Sequence, residues 1–364
     1  MSAEPQISNE GIYSARPLIE INGQTDAMVQ SLLVAMLMNE SGGGLSSLEL
    51  RFDNTAHMEQ QGVDYAFEFS DNDALSLGNE IKVYSGDESD PQEIFQGKIS
   101  GLELVIKEDS QPGLIVLAED ALQQARMQRK TRVFTETTIA DIAESLAQEL
   151  GLQAVIDGLQ QPVTAEVQLN ESNLAFLRRL LARYDGDLQV VADELHLSSR
   201  NDVRRNEIRL DVNSQLTSIR ILADLSQQVT EVTFSGWDVA QGQAINVSCD
   251  SSIAAGPGAG TPGSQLLNDT LGERSEHISN AAAVNETEAQ AYANACFAQR
   301  ERKFLQADAC SIGNPAIRVG THITLTGVGP RFENSYYVTS ACHRFDLVEG
   351  YKTDFKAECA FFVV

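Results

Sequence analysis

The chain has 364 residues, 42% of them apolar and 21% charged, with 52 acidic side chains against 26 basic ones and a formal net charge of -26. This is the mixture of a globular protein large enough for two or three domains, and it excludes a disordered or fibrous chain. So acidic a surface repels phosphate backbones and anionic lipid, so static nucleic-acid binding is not expected, although the charge alone indicates solubility and not a channel.

The opening MSAEPQISNEG lacks the basic and apolar regions of a secretory signal, so general export is not expected. The longest apolar run, Leu32 to Met38, ends at Asn39 and Glu40, far short of the roughly 20 residues a membrane helix needs. No integral membrane segment is expected.

From Leu75, LSLGNEIKVYSG reads as a strand entered through a glycine turn at Gly78, with Ile81 and Val83 on one face. FQGKISGLEL, from Phe95 and including Gly97, supplies a hairpin partner. The period then changes. Ile139, Ile142, Ala143, Leu146 and Leu150 form a helical stripe, opened by Thr138 with Asp141 three later and closed by Gly151. A second helix carries Leu174, Leu177, Leu181 and Tyr184, with Glu171 near its start and Asp185-Gly186 as its stop. LQVVADELHLSS follows as two strands around an Asp193-Glu194 turn.

Farther on, Val232 and Phe234, then Ile245, Val247 and Cys249, alternate as strands do. SSIAAGPGAGTPGSQ, at about 251–265, has no apolar period and reads as a loop; its glycines Gly256, Gly258, Gly260 and Gly263 are interrupted by Pro257 and Pro262 and do not make a dinucleotide fingerprint. A third helix is predicted at about 287–303, with Ala289, Ala293 and Cys296 in a stripe. At the end Phe355, Ala357, Cys359, Phe361 and Val363 alternate with Lys356, Glu358, Ala360 and Phe362, which makes one face core.

No HExxH, GxSxG or phosphate-loop motif occurs, and the histidines (His57, His196, His277, His322, His343) lack ligand spacing. The pairs Glu108-Asp109 and Glu119-Asp120 read as solvated loops. Cys249, Cys296, Cys310, Cys342 and Cys359 are an odd, widely spaced set that suggests small buried hydrophobes in a reducing compartment. Catalysis, cofactor and metal are therefore not expected. Trp237, in FSGWDV, is expected to pack at a strand end.

The most informative pattern occurs twice. LGNEIKV and IRVGTHITL share a glycine followed by Ile and then Val or Leu (Gly78, Ile81, Val83; Gly320, Ile323, Leu325), and each is followed by a partner strand, FQGKISGLEL or FENSYYVTSACHRF. Paired order argues for two barrels of common design. The expected fold is mainly β with an α+β insert: a first antiparallel β-barrel at 1–130, a helix-hairpin module at 131–200 and a second barrel at 201–364.

With NESNLAFLRRLLARYDGDLQV in the insert, VTFSGWDV opening the second barrel, and GNPAIRVGTHITLTGVG, YYVTSACHRFD and GYKTDFKA near the end, these segments resemble the phage late-control D family. That family includes contractile-tail hubs and the hub portion of VgrG-type type VI secretion spike proteins. The resemblance rests on Gly78, Ile81, Val83, Gly97, Trp237, Gly313, Asn314, Pro315, Gly320, Ile323, Leu325, Tyr337, Val338, His343, Gly350 and Thr353 as fold-defining positions. It implies a non-enzymatic baseplate hub of a phage tail or tail-like particle, assembled in the bacterial cytoplasm. It also implies a homotrimer whose paired barrels make a pseudo-sixfold ring between a hexameric inner tube, or its initiator, and a separate trimeric spike, with baseplate wedge proteins as further partners. The competing expectations are a peptidoglycan-cleaving enzyme and a carbohydrate-binding tail protein.

Overall fold

The computed structural model of the protein describes residues 16–55, 57–58, 65–66, 69, 73–87, 89–108, 110–200, 203, 205–251, 256–278 and 283–363. The segment MSAEPQISNEG, the side chain of His57, and residues Asp109 and Val364 lie outside them. No described helix is long and apolar enough to cross a membrane.

Alternating apolar residues set the six longer strands before residue 120: β1 (Leu18–Ile21), β2 (Leu33–Ser41), β3 (Ser47–Asp53), β4 (Glu80–Asp87), β5 (Asp90–Lys107) and β6 (Ser110–Glu119). They pair antiparallel in the order β2-β3-β6-β5-β4-β1. Ile19, Met38, Leu50, Ile81, Ile99 and Val116, one from each strand, lie in a single buried core. A flat sheet would spread them over roughly 24 Å, at about 4.8 Å per strand, so the unit curls. The Gln30 side chain bridges its two ends, donating from Nε2 to the Pro17 carbonyl at 2.5 Å and accepting from the Ile19 amide at 3.1 Å.

The next elements are β7 (Arg129–Thr138), α1 (Ile139–Leu150), β8 (Gln153–Asp157), β9 (Pro162–Ser172), α2 (Asn173–Arg183), β10 (Gly186–Val191) and β11 (Glu194–Ser199). Helix α1 begins in a capping box between Thr138 and Asp141 and ends at Gly151 with φ 70°, as its sequence predicts. The β10–β11 turn falls on Ala192-Asp193, one residue earlier than expected, because Glu194 already pairs with Val191. Two pairings go beyond the sequence reading: β8 joins β11 in parallel, and β7 pairs with β9.

The remainder comprises β12 (Glu207–Asp211), β13 (Leu216–Ala223), β14 (Glu231–Asp238), β15 (Gln243–Cys249), α3 (Gly263–Leu271), β16 (Ser275–Ile278), α4 (Glu286–Arg302), β17 (Leu305–Ile312), β18 (His322–Thr326), β19 (Ser335–Asp346) and β20 (Gly350–Cys359). A second curled unit, β13-β17-β20-β19-β18-β12, surrounds its own core of Leu210, Leu305, Ile323, Leu325, Val338 and Ala357. Strand β19 also pairs with β2, so the twelve strands of both units, with the two-residue strand Gln24–Thr25 on β1, form one thirteen-stranded sheet among the described residues.

Four expectations are corrected. Glu119-Asp120 is not a solvated loop: Glu119 ends β6, and Asp120 is buried and accepts from the amides of Ser46 and Leu122. VTFSGWDV does not open the second unit: β14 forms a separate sheet with β15 and β16, and Phe234 and Val232 share a core with α1, α2 and α4. Trp237 does not pack, and its side chain is 58% exposed, because the buried face of β14 carries Val232 and Phe234. The Gly/Pro stretch is not all loop: Thr261-Pro262 pairs with Phe361-Phe362, and α3 starts at Gly263. Close approach explains its glycine at 260, where a Cβ would lie 2.4 Å from the Phe362 carbonyl oxygen.

Candidate assembly site

The two curled units repeat each other at the level of single hydrogen bonds. Gly78, at φ +88°, donates its amide to the Ile99 carbonyl at 2.8 Å, and the Ile99 amide returns a bond to Asn79 at 2.9 Å. Gly320, at φ +92°, donates to Val338 at 3.0 Å, and Val338 returns a bond to Thr321 at 2.9 Å. Three residues on, Ile81 faces Gly97 and Ile323 faces Tyr336.

The irregularities repeat as well. The β5–β6 ladder slips between Ile99↔Ala118 and Gly101↔Leu117, and the β19–β20 ladder slips between Val338↔Ala357 and Ser340↔Lys356. At the two bulges, the Ser100 hydroxyl donates to the Leu117 carbonyl and the Thr339 hydroxyl to the Lys356 carbonyl. A second bulge separates Leu33↔Phe52 from Ala35↔Arg51 in one unit and Leu216↔Ser311 from Ser218↔Cys310 in the other. Bulges re-aim a strand at fixed positions, so sharing both means sharing the curvature. The units differ in the sixth strand, as β1 runs antiparallel to β4 whereas β12 runs parallel to β18, and in two further slips of the first unit, at Val83/Tyr84 and Val105/Lys107, that the second does not repeat.

The units meet where Ser340–Asp346 of β19 pairs with Ala35–Ser41 of β2, and Phe345 and Tyr351 of the second unit enter the core of the first. Glu40 sits in this seam opposite Ala341. Arg318 donates to it from Nε at 2.8 Å and from Nη2 at 3.3 Å, Arg205 from Nη1 at 2.8 Å, and the Val319 amide at 3.2 Å. Burial alone would raise the pKa of Glu40, but the charges and hydrogen bonds of these partners outweigh it and hold the carboxyl at about 2.

The insert joins the same junction. Asp187 accepts from Gln189 at 2.7 Å and from the Tyr337 hydroxyl at 3.4 Å, and the Arg200 guanidinium lies 4.4 Å from the centre of the Tyr337 ring. Arg200 reaches Glu358 at 2.9 Å, and Arg302, at the end of α4, holds Asp185 through two bonds of 2.7 and 2.5 Å. These buried charges are mutually compensated, so they fix the relative placement of both units and the insert. Losing Arg302 would leave Asp185 without its guanidinium, whereas Glu358 is shared by Arg200 and Arg302.

His343, facing Met38 across the seam, is wholly buried; its Nδ1 is 2.7 Å from the Tyr351 hydroxyl. Burial and the charge of Arg318 push its pKa down to about 3, so it is neutral at neutral pH. Thr353 exchanges hydrogen bonds with the backbone of Asn314. A Cβ on Gly313 would lie 2.0 Å from the Tyr351 ring, and one on Gly86 would lie 3.0 Å from Pro315, which brings the GNP turn against the first unit. Gly97 lies so close to β6 that a Cβ would meet the Glu119 carbonyl at 2.3 Å, and Gly350, at φ 70°, closes the β19–β20 hairpin.

The structure thus gathers Gly313, Asn314, Pro315, Tyr337, His343, Gly350 and Thr353 around the seam. Gly78, Ile81, Val83, Gly97, Gly320, Ile323, Leu325 and Val338 stand in the repeated ladders, and Trp237 stands apart from both. Sequence reading missed the charged junction. One signal was available: Glu40 continues the inward face of Met36 and Met38, where a carboxylate needs a partner. Among the described residues, no group of three or more His, Cys, Asp or Glu side chains is placed to hold a metal ion.

The chain is similar in fold to the 43 kDa tail protein of prophage MuSo2 from Shewanella oneidensis, at TM-score 0.68 and 11% identity over 94% of this chain and 97% of that one. It is similar to a tail protein from Neisseria meningitidis MC58, at 0.64 and 11% over 94% and 96%, and to an Escherichia coli component of the type VI secretion system, at 0.58 and 11% over 94% and 76%. At such identities the likeness is one of fold. No curated protein matches in sequence. Residues 57–346 match a family model described as the Alg8 N-terminal domain and not as late-control D, and with well over half of its length matched the chain belongs to the Alg8 N-terminal domain family.

Proposed function

We propose that the chain is the structural hub of a contractile tail or injection machine. In this reading it forms a homotrimer in which two related units per chain make a pseudo-sixfold ring, one face receiving a hexameric inner tube or its initiator and the other a trimeric spike. Baseplate wedge proteins bind its periphery, and the particle assembles in the bacterial cytoplasm. The role is mechanical and non-catalytic, and the late-control D resemblance belongs to the same proposal.

The observation that carries it is the repeat, from the glycine turns to both bulges. Six similar units can present near-equivalent surfaces to a sixfold tube while three chains keep threefold symmetry for a spike. Tail-protein folds covering 94% of the chain support the reading. The domain plan belongs to the proposal too: a first unit to about 130, an insert at 131–200, and a second unit at 201–364 whose β14–β16 sheet and α4 pack on the insert.

Negative-stain imaging with light scattering of the purified chain tests it. A small ring of trimer mass is expected. A monomer at high concentration that also fails to seed tube assembly overturns it.

A further inference from the structure

The internal seam leaves its counterpart open. In the first unit the residues equivalent to Ser340–Asp346 are Gly101–Lys107 of β5, and in the second unit those equivalent to Ala35–Ser41 are 218–224, in and just after β13. Among the described residues, strand β5 pairs there only with β6, and β13 only with β17, so each presents one edge that no described strand pairs with. Inside the chain the corresponding positions are covered: Ala341, His343 and Phe345 are buried. At the open edge Leu102, Leu104 and Ile106 are 42%, 52% and 61% exposed. Exposed apolar strand edges seek another strand.

We infer that the occupant of each edge is a second copy of this chain, with β5 of one copy pairing antiparallel to β13 of the next in the register of the internal seam. Carrying that register across sets Leu102 opposite Ala223, Leu104 opposite Ile221, and Ile106 opposite Ile219. Apolar residues meet on both sides, continuing the inward face occupied inside the chain by Met38 and Phe345. Such a head-to-tail contact repeats the rotation already built into one chain, which is how a ring closes. The number three rests on the trimer proposed above, whereas the choice of edges and their register does not.

Cysteine pairs read the register directly. Leu104→Cys/Ile221→Cys, oxidised with diamide in the native full-length protein, is expected to give covalent oligomers on a non-reducing gel, and an out-of-register pair, Leu104→Cys/Ile219→Cys, at least tenfold less. The wild type controls for the five native cysteines, and an unchanged melting temperature shows that each variant folds. Leu104→Asp/Ile106→Asp is expected to weaken self-association at least tenfold while the monomer keeps its circular dichroism. Trimers with no in-register cross-link would overturn the seam and leave the hub reading standing. Monomers without cross-links would overturn both.

Discussion

Arg318 donates from Nε to Glu40 at 2.8 Å, joining residues 278 positions apart and tying a loop of the second unit to a strand of the first. Arg205 donates to the same carboxylate, so the buried Glu40 compensates two partly buried guanidiniums. Glu40→Gln keeps the shape and removes the charge. It is expected to lower unfolding free energy by about 3–5 kcal/mol, the usual result of breaking a buried ion pair from one side. Arg205→Met, which leaves Glu40 its Arg318 partner, should cost clearly less. Urea denaturation of both variants checks the order, and equal losses would mean that the junction is not centred on Glu40.

The same junction sets an acid limit. His343 has a folded pKa of about 3 against an ordinary 6.5, so the unfolded chain takes up its proton first, and stability falls as pH drops through 6.5 toward 3. Glu40, at about 2 against 4.5, adds a second loss below 4.5. Asp120 opposes them: burial raises it to about 6 against 3.8, so its contribution is complete below 3.8 and lost as pH rises through 6. Melting temperature should therefore change little from pH 6 to 4.5 and drop steeply below 4. Each fully engaged group contributes up to about 1.4 kcal/mol per pH unit. His343→Gln should flatten the acid limb, and an unaltered profile would remove His343 from this account.

Gly78 and Gly320 offer a matched pair. Both hold φ near +90°, so an alanine at either adopts a left-handed backbone, at about 1 kcal/mol. Around Gly78 the added Cβ meets nothing within 4 Å, whereas at Gly320 it would lie 2.6 Å from Cγ1 of Val203. Gly78→Ala is expected to cost about 1 kcal/mol and Gly320→Ala about 2–3 kcal/mol. Denaturant midpoints measured side by side would show whether the strain follows the neighbour or only the dihedral.

These glycines also mark what a reader of the sequence can see. Gly78 and Gly320, the Thr138–Asp141 box and the stripe of α1 are legible because their causes lie within a few residues. The β2–β19 seam is not, since it joins segments some 300 positions apart and follows bulges at Val34 and Thr339 that share no residue type. The charged junction is hidden for the same reason, as Asp185, Arg302 and Glu358 come from three distant segments. Alternation identified β14 and β15 as strands, but period alone does not say which sheet a strand joins, and α4 draws them to the insert.

Trp237 is the chain's single tryptophan and stands exposed on β14, while Phe234, three residues earlier, is buried. Trp237→Ala should change stability by less than about 0.5 kcal/mol, against about 3–5 kcal/mol for Phe234→Ala. Because Trp237 lies on neither open strand edge, its fluorescence should stay accessible to iodide when the chain self-associates through β5 and β13. Exposed tryptophans are strong anchors when a partner covers them. Under the proposed hub function, titrating the protein with tube, spike and wedge proteins in turn therefore asks whether any of them lies over the β14–β16 sheet. Protection by one names the partner, and protection on self-association alone would place Trp237 between copies and contradict the edge pairing.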